Sequence, residues 1–300
     1  MHDIPNYETF IKIEPISKGV SRDKKYFVET HDGKRMFLRI ADIEEFDRKK
    51  AEYEMMERVH DYGVLCPTPY AFGLCDDGKS VYSISSWLDG IDADEAWIDM
   101  SEAERYELGI KSGQTLRKIH KLPAPDDAEP WNERFYRKVQ SRIDFYDSNS
   151  LKSENGDTII RFLQENKHLL DNRPQTFNHG DYNIVNLVVL PDGQVGVIDF
   201  NSYNQGYGDP WWEFNPINWG NELNVQFYNG FINGYFDNHP PHEFFVMLSY
   251  YIAYTSLAAL CITAEGEEYV MPDYGEQCVE MVLRWFDGMR KPVPMWYEHK

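Results

Sequence analysis

The stretch from His179 to Phe200 restricts the fold more than any other part of the chain. It opens with His179-Gly180-Asp181-Tyr182-Asn183-Ile184-Val185-Asn186, a match to H-x-D-x-x-x-x-N, and closes with Ile198-Asp199-Phe200. Asn186 to Leu190 and Gln194 to Phe200 are apolar and β-branched and flank Pro191-Asp192-Gly193, the pattern of a hairpin. If Asp192-Gly193 is a two-residue turn, Asn186 stands directly opposite Asp199. Opposed side chains on one face have Cβ atoms about 4.5–5.5 Å apart.

One oxygen from each of Asn186 and Asp199 suits Mg²⁺, which keeps several waters and takes one or two protein oxygens plus substrate phosphates. Asp181, at the loop end of the same hairpin, is placed to reach a substrate hydroxyl. Phosphoryl transfer needs mainly positioning and charge neutralisation, so a metal pair with a nearby acid is a sufficient set. The plainer alternative is an Asp-rich loop that caps a hairpin. With the His, Gly, Asp and Asn content of this chain, about 0.003 matches to H-G-D-x-x-x-x-N are expected by chance, which favours the chemical explanation.

Upstream, Lys24 to Thr30 and Arg35 to Ala41 read as strands joined by His31-Asp32-Gly33-Lys34, whose Asp-Gly step favours a hairpin turn. Glu44 to Tyr62 reads as a helix with Phe46, Tyr53, Met56 and Val59 on an apolar side and Gly63 as its stop. Ser80 to Trp87 reads as a further strand. A small α+β unit is therefore expected over residues 1–88, ending near Leu88-Asp89-Gly90, with a second unit over 89–300. In that second unit Met100 to Lys121, Asn132 to Tyr146, Thr158 to Asp171 and the segments after Asn221 are mostly helical in pattern. Phe244 to Ala264 carries no charge and is long enough to cross a membrane. Its Ser, Thr and Tyr content and its lack of a basic flank make a buried core helix the expectation.

Glu52, Met55, Met56 and Val59 share the inward stripe of the helix, so the acid should seek a cation there. Arg39, on the strand from Met36 to Ala41, is the nearest sensible donor, and a guanidinium paired to Glu52 can also hold nucleotide phosphates. A purely structural salt bridge is the alternative. Ser17-Lys18-Gly19-Val20-Ser21 precedes the first of these strands as a small-residue loop able to cover phosphates with backbone N–H groups.

Thirty Lys plus Arg against fifty Asp plus Glu give a formal charge of −20. That balance repels nucleic-acid backbones and anionic membranes and favours cationic partners. Cys66, Cys75, Cys261 and Cys278 form no C-x-x-C pair, and free thiols in a cytoplasmic setting are expected. Met1 to Phe10 has neither a basic start nor an apolar run, so no signal peptide is read there.

With these residues in hand, the chain resembles the aminoglycoside phosphotransferase family, a branch of the protein-kinase-like fold. The likeness rests on His179 to Asn186, Ile198-Asp199-Phe200, Leu38-Arg39-Ile40, Glu52 with Met55-Met56 and the connector Ser85-Ser86-Trp87-Leu88-Asp89-Gly90. It extends to Gly113 through His120 and to Gly208-Asp209-Pro210. The resemblance implies a bilobal α+β fold, with a small antiparallel-sheet N-terminal lobe carrying one helix and a larger, mostly helical C-terminal lobe. It implies ATP or GTP with Mg²⁺, Asp181 as catalytic base, Asn186 and Asp199 as metal ligands and Ser21 in the phosphate loop. The backbone of Ser86 and Leu88 would meet the purine, and His179 would fix the loop.

Arg39 departs from the Lys that the family commonly has there. Gly180 replaces the Arg of regulated protein kinases, and no A-P-E segment follows, so activation-loop control is not expected. The implied acceptor is a cationic small molecule such as an aminoglycoside. Glu213, Glu265 and Glu268 are among the acids of the C-terminal third that would line its pocket, a solvated acidic face being the alternative for the same residues. Neither nucleic acid nor membrane is an expected partner, and the chain should be a monomer or weak dimer. A metabolic kinase for choline, homoserine, a thiosugar or a macrolide, and a nucleotide-binding pseudokinase, are the alternatives.

Overall fold

The computed structural model describes residues 1–18, 21–149, 152–201, 206–219, 225–265 and 273–298. The chain divides into two compact units, residues 1–99 with 179–206 and residues 100–178 with 207–300.

The first unit is built on strands β1 Phe10–Ile16, β2 Lys24–Thr30, β3 Arg35–Asp42, β4 Pro69–Cys75 and β5 Ser80–Ser86, an antiparallel sheet in the order β1-β2-β3-β5-β4. The β2–β3 hairpin turns as expected, with Gly33 at φ 81° in the left-handed region that glycine tolerates. In β3, Met36, Leu38 and Ile40 are buried and cluster with Val28, Tyr82 and Ile84. Strand alternation then sends Phe37 and Arg39 to the other face. Phe37 pairs with Ser85 and Arg39 with Ser83, so that face is lined by an aromatic ring, a guanidinium and two small hydroxyls.

Asp42 accepts a hydrogen bond from the Glu44 N–H at 3.0 Å, and the turn it caps leads into helix α1, Phe46–Asp61. Its buried residues are Lys49, Glu52, Met55 and Val59. After the connector come β6, Ile91–Asp92, and the short α2, Ala93–Ala96.

In the second unit α3 spans Glu102–Ile119, started by a Ser101/Glu104 capping box. It is followed by α4 Trp131–Ser148, α5 Glu154–Glu165 and the short strand β7 Thr176–Phe177. The chain then returns to the first unit as β8 Leu187–Val189 and β9 Val195–Val197, which form a sheet in the order β6-β8-β9. Because Ile91 and Asp92 pair with β8, the division between units falls after Asp99, where the sequence suggested Leu88. The remaining elements, β10 Tyr207–Gly208, α6 Val225–Tyr235, α7 His242–Glu265 and α8 Tyr274–Trp285, belong to the second unit.

Helices α3 and α6 approach closely through glycines. A Cβ on Gly109 would lie 2.1 Å from the Phe227 carbonyl oxygen, and one on Gly230 would lie 2.1 Å from that of Tyr106. Within residues 242–264 of α7 an 18-residue stretch has a mean hydropathy of 1.7 and is apolar enough to cross a membrane, yet 78% of that stretch is buried within the protein. Its Tyr250, Tyr251 and Leu257 are fully enclosed, the environment expected of a core helix.

Candidate active site

The β8–β9 hairpin differs from the expected one by a single residue. Leu187 pairs with Val197, Val188 with Gly196 and Val189 with Val195. The Leu190 N–H donates to the Gln194 carbonyl at 2.9 Å, which makes the loop three residues, Pro191 to Gly193, with Gly193 at φ 76°. A left-handed glycine closing a three-residue turn adds one residue to the loop and shifts the register. Asn186 is therefore opposite Ile198, whose N–H donates to the Asn186 carbonyl at 3.0 Å, and the expected Asn186–Asp199 pairing is corrected. Asp199 is the next residue, at φ 60°, and still lines the same cavity as Asn186.

His179 is fully buried. Its Nδ1 lies 3.2 Å from the Asp181 N–H and must accept, so Nε2 carries the proton and donates to the Ile198 carbonyl at 2.9 Å. One ring nitrogen thus holds the loop's own Asp181 amide, and the other ties the loop to Ile198, the residue after β9. Gly180 has φ 91°, and a Cβ there would meet the Asn201 carbonyl oxygen at 2.1 Å, so no larger residue fits.

The Asp181 carboxylate accepts from Asn183 Nδ2 at 2.8 Å on one oxygen and from Asn186 Nδ2 at 3.0 Å on the other. Burial raises its pKa above the ordinary aspartate value, with His179 and the two amides opposing and Asp199 adding to the rise. A fixed carboxylate with a raised pKa is a stronger base towards a hydroxyl. Asn183 also accepts from the Val185 N–H at 3.0 Å and so caps the turn Ile184–Asn186. It fills a variable position of the motif, where only its aptitude for capping turns signals the role.

A cavity of about 390 Å³ within the first unit is lined by Arg39, Lys49, Glu52, Ser86, Leu88, Asn186 and Asp199, among others. Arg39 Nη2 lies 2.7 Å from Asp199 Oδ1. Burial works against the charge on Arg39, but Asp199, Asp23 and Glu52 outweigh it and hold its pKa above the usual value. Desolvation likewise works against Asp199, and Arg39 outweighs it, leaving that carboxyl below its usual range. Glu52 has closer partners than the expected Arg39. Arg48 lies 2.9 Å away and Lys49 3.1 Å, whereas Arg39 Nη1 is 3.9 Å away, because the two helix cations sit one turn before the acid on its own face. The Arg48-Lys49-Lys50 run reads as a solvated helix face, so nothing in the sequence separates the buried Lys49 from its neighbours.

Asn186 commits its Nδ2 to Asp181, which leaves Oδ1 as an acceptor. Among the described residues no three His, Cys, Asp or Glu side chains are grouped to hold a metal by themselves. The Asn186 and Asp199 oxygens instead fit a hard cation whose shell is completed by phosphate and water.

The connector is fixed by its own hydrogen bonds. The Ser86 N–H donates to the Thr68 carbonyl and the Thr68 N–H to Ser86 Oγ, both at 2.8 Å, while the Trp87 N–H donates to Arg35 at 3.0 Å. Among the described residues the Leu88 N–H has no acceptor. Ser21 is exposed and does not line the cavity, although Ile16 and Lys18 do. In the second unit, Glu213 is 2% exposed and 3.6 Å from His120 Nε2, an interior position. Glu265 ends α7 with its side chain outside the described residues, and Glu268 lies outside them altogether.

Residues 12–245 match the phosphotransferase enzyme family, and the chain belongs to it. No curated protein matches by sequence. Among solved structures, the chain resembles a choline/ethanolamine kinase family protein from Mesorhizobium loti at 13% identity, with 97% of this chain and 94% of that one covered and a TM-score of 0.65. It resembles the ADP-bound aminoglycoside phosphotransferase APH(2'')-Ib at 16% identity, 92% and 93% coverage and a TM-score of 0.61. An amicoumacin kinase in complex with AMP-PNP and Ca²⁺ matches at 13% identity, 95% and 91% coverage and a TM-score of 0.61. The fold is protein-kinase-like, with an antiparallel-sheet N-terminal part and a helical C-terminal part.

Proposed function

We propose that the chain transfers the γ-phosphoryl group of ATP or GTP to a hydroxyl of an aminoglycoside or a similar cationic small molecule. The observation that carries this is one cavity holding Arg39, Asn186 and Asp199, beside an Asp181 carboxylate restrained at both oxygens. Asn186 and Asp199 would hold Mg²⁺, which when bound neutralises charge on the phosphates. Arg39 steadies the phosphates, and the Leu88 N–H, with the Ser86 backbone, meets the purine. Asp181 orients the acceptor hydroxyl and takes its proton as the new O–P bond forms and the bond to the departing nucleoside diphosphate breaks. The net charge of −20 supports a cationic acceptor. A nucleotide donor and four buried free thiols support a cytoplasmic setting.

The test is nucleoside diphosphate release with Mg²⁺ and ATP or GTP in parallel, across aminoglycosides, choline, homoserine and macrolides. Stimulation by an aminoglycoside is expected. Stimulation by choline or homoserine alone would keep the transfer and overturn the acceptor, whereas nucleotide binding without stimulation by any acceptor would point to a pseudokinase.

A further inference from the structure

Helix α1 carries a buried lysine that the transfer scheme above does not use. Lys49 is 6% exposed, and its ammonium lies 2.7 Å from Asp23 Oδ2 and 3.1 Å from Glu52 Oε2. The Asp23 side chain is equally buried and stands just ahead of β2, close in sequence to Ser21. Arg39 approaches the same two acids less closely, with Nε 3.8 Å from Asp23 and Nη1 3.9 Å from Glu52, while its Nη2 reaches Asp199. Arg48 takes the other Glu52 oxygen. Three acids and three cations therefore form one network, of which Arg39, Lys49, Glu52 and Asp199 line the cavity, and Lys49 reaches two of the acids, Asp23 at 2.7 Å and Glu52 at 3.1 Å.

We propose that Lys49 is a positioning residue for the nucleotide. By holding Asp23 and Glu52 it keeps both carboxylates from drawing Arg39 away from the phosphates, and it neutralises them against the incoming polyphosphate. The proposal rests on the nucleotide-binding role given to the cavity above. Without Lys49, Glu52 in the cavity wall and Asp23 behind it would carry less compensated charge near a polyanion, and at their low exposure weak screening makes the repulsion strong. Arg39, the next cation, would be pulled towards Asp23 and Glu52. An ion pair that served only to pin α1 to the start of β2 would affect stability and leave nucleotide affinity in the folded protein unchanged.

Calorimetric titration with Mg²⁺-ATP, and with Mg²⁺-GTP in parallel, separates these roles. It needs the wild type, Lys49→Met, Asp23→Asn and the double variant. Lys49→Met is expected to bind nucleotide about tenfold or more weakly. Adding Asp23→Asn to it should recover most of the loss, because one uncompensated carboxylate is gone. If Lys49→Met alone does not fold, the double variant is compared with Asp23→Asn and is expected to bind more weakly, since Glu52 then lacks its lysine. Equal binding in that pair, or equal binding of folded Lys49→Met and wild type, would overturn the positioning role alone. Absence of Mg²⁺-dependent binding by the wild type would overturn the nucleotide-binding role of the cavity and this inference with it.

Discussion

At the residue scale, the site depends on side chains whose hydrogen-bonding groups are already committed to one another. His179 gives one nitrogen to the Ile198 carbonyl just past β9 and the other to the Asp181 amide, and Asn183 and Asn186 each give an amide to the Asp181 carboxylate. Asp199 has a different restraint, a guanidinium at 2.7 Å that favours its ionised form. In the proposed mechanism a metal shared with the phosphates also depends on that charge. Asp199→Ala should therefore abolish Mg²⁺-dependent binding of the triphosphate in a titration, and binding that persisted unchanged would remove Asp199 from the metal site. The motif residues Asp181, Asn186 and Asp199 were legible because their spacing is rare by chance. Asn183, Asp23 and Lys49 were not, since an Asn in a loop and a charge in a charged run look alike whether exposed or buried.

At the scale of elements, alternation and helical spacing were the readable signals, and they failed where a single backbone angle decides. The β2 and β3 strands and the inward placement of Glu52, Met55 and Val59 follow from periods of 2 and 3.6. The β8–β9 register does not, because Pro191-Asp192-Gly193 supports either a two-residue or a three-residue loop until Gly193 adopts φ 76°. Close packing of α3 on α6 is a second feature hidden in the sequence. Glycine ordinarily weakens a helix, whereas in Gly109-x-x-x-Gly113 and Gly230-x-x-x-Gly234 each glycine admits the backbone of the other helix to within about a methyl group's space. Gly230→Ala would force these backbones apart and should destabilise the fold by about 1–3 kcal/mol, seen as a lowered Tm. An unchanged Tm would mean that the helices have room to separate.

At the scale of the whole molecule, the family and the protein-kinase-like fold set the class of chemistry, and the charge balance bears on the acceptor. A field from a net charge of −20 attracts a polycationic acceptor over distances that salt screens, the Debye length being about 8 Å at physiological ionic strength. The half-saturating concentration of an aminoglycoside should then rise with added salt. A value independent of salt would place recognition in short contacts instead. Of the acids expected in the acceptor pocket, Glu213 is enclosed against His120, since acidity along a chain does not by itself distinguish an exposed carboxylate from a buried one.

The most direct test of the central claim is mass spectrometry of the acceptor after incubation with Mg²⁺ and nucleoside triphosphate, with wild type and Asp181→Asn compared. The account predicts that wild type adds one phosphoryl group to an aminoglycoside hydroxyl. Asp181→Asn should do so about 10²–10⁴-fold more slowly, with nucleotide binding retained. Equal rates from the two proteins would contradict the assignment of Asp181 as base, and nucleotide binding without any phosphorylated acceptor across the panel would contradict the transfer itself.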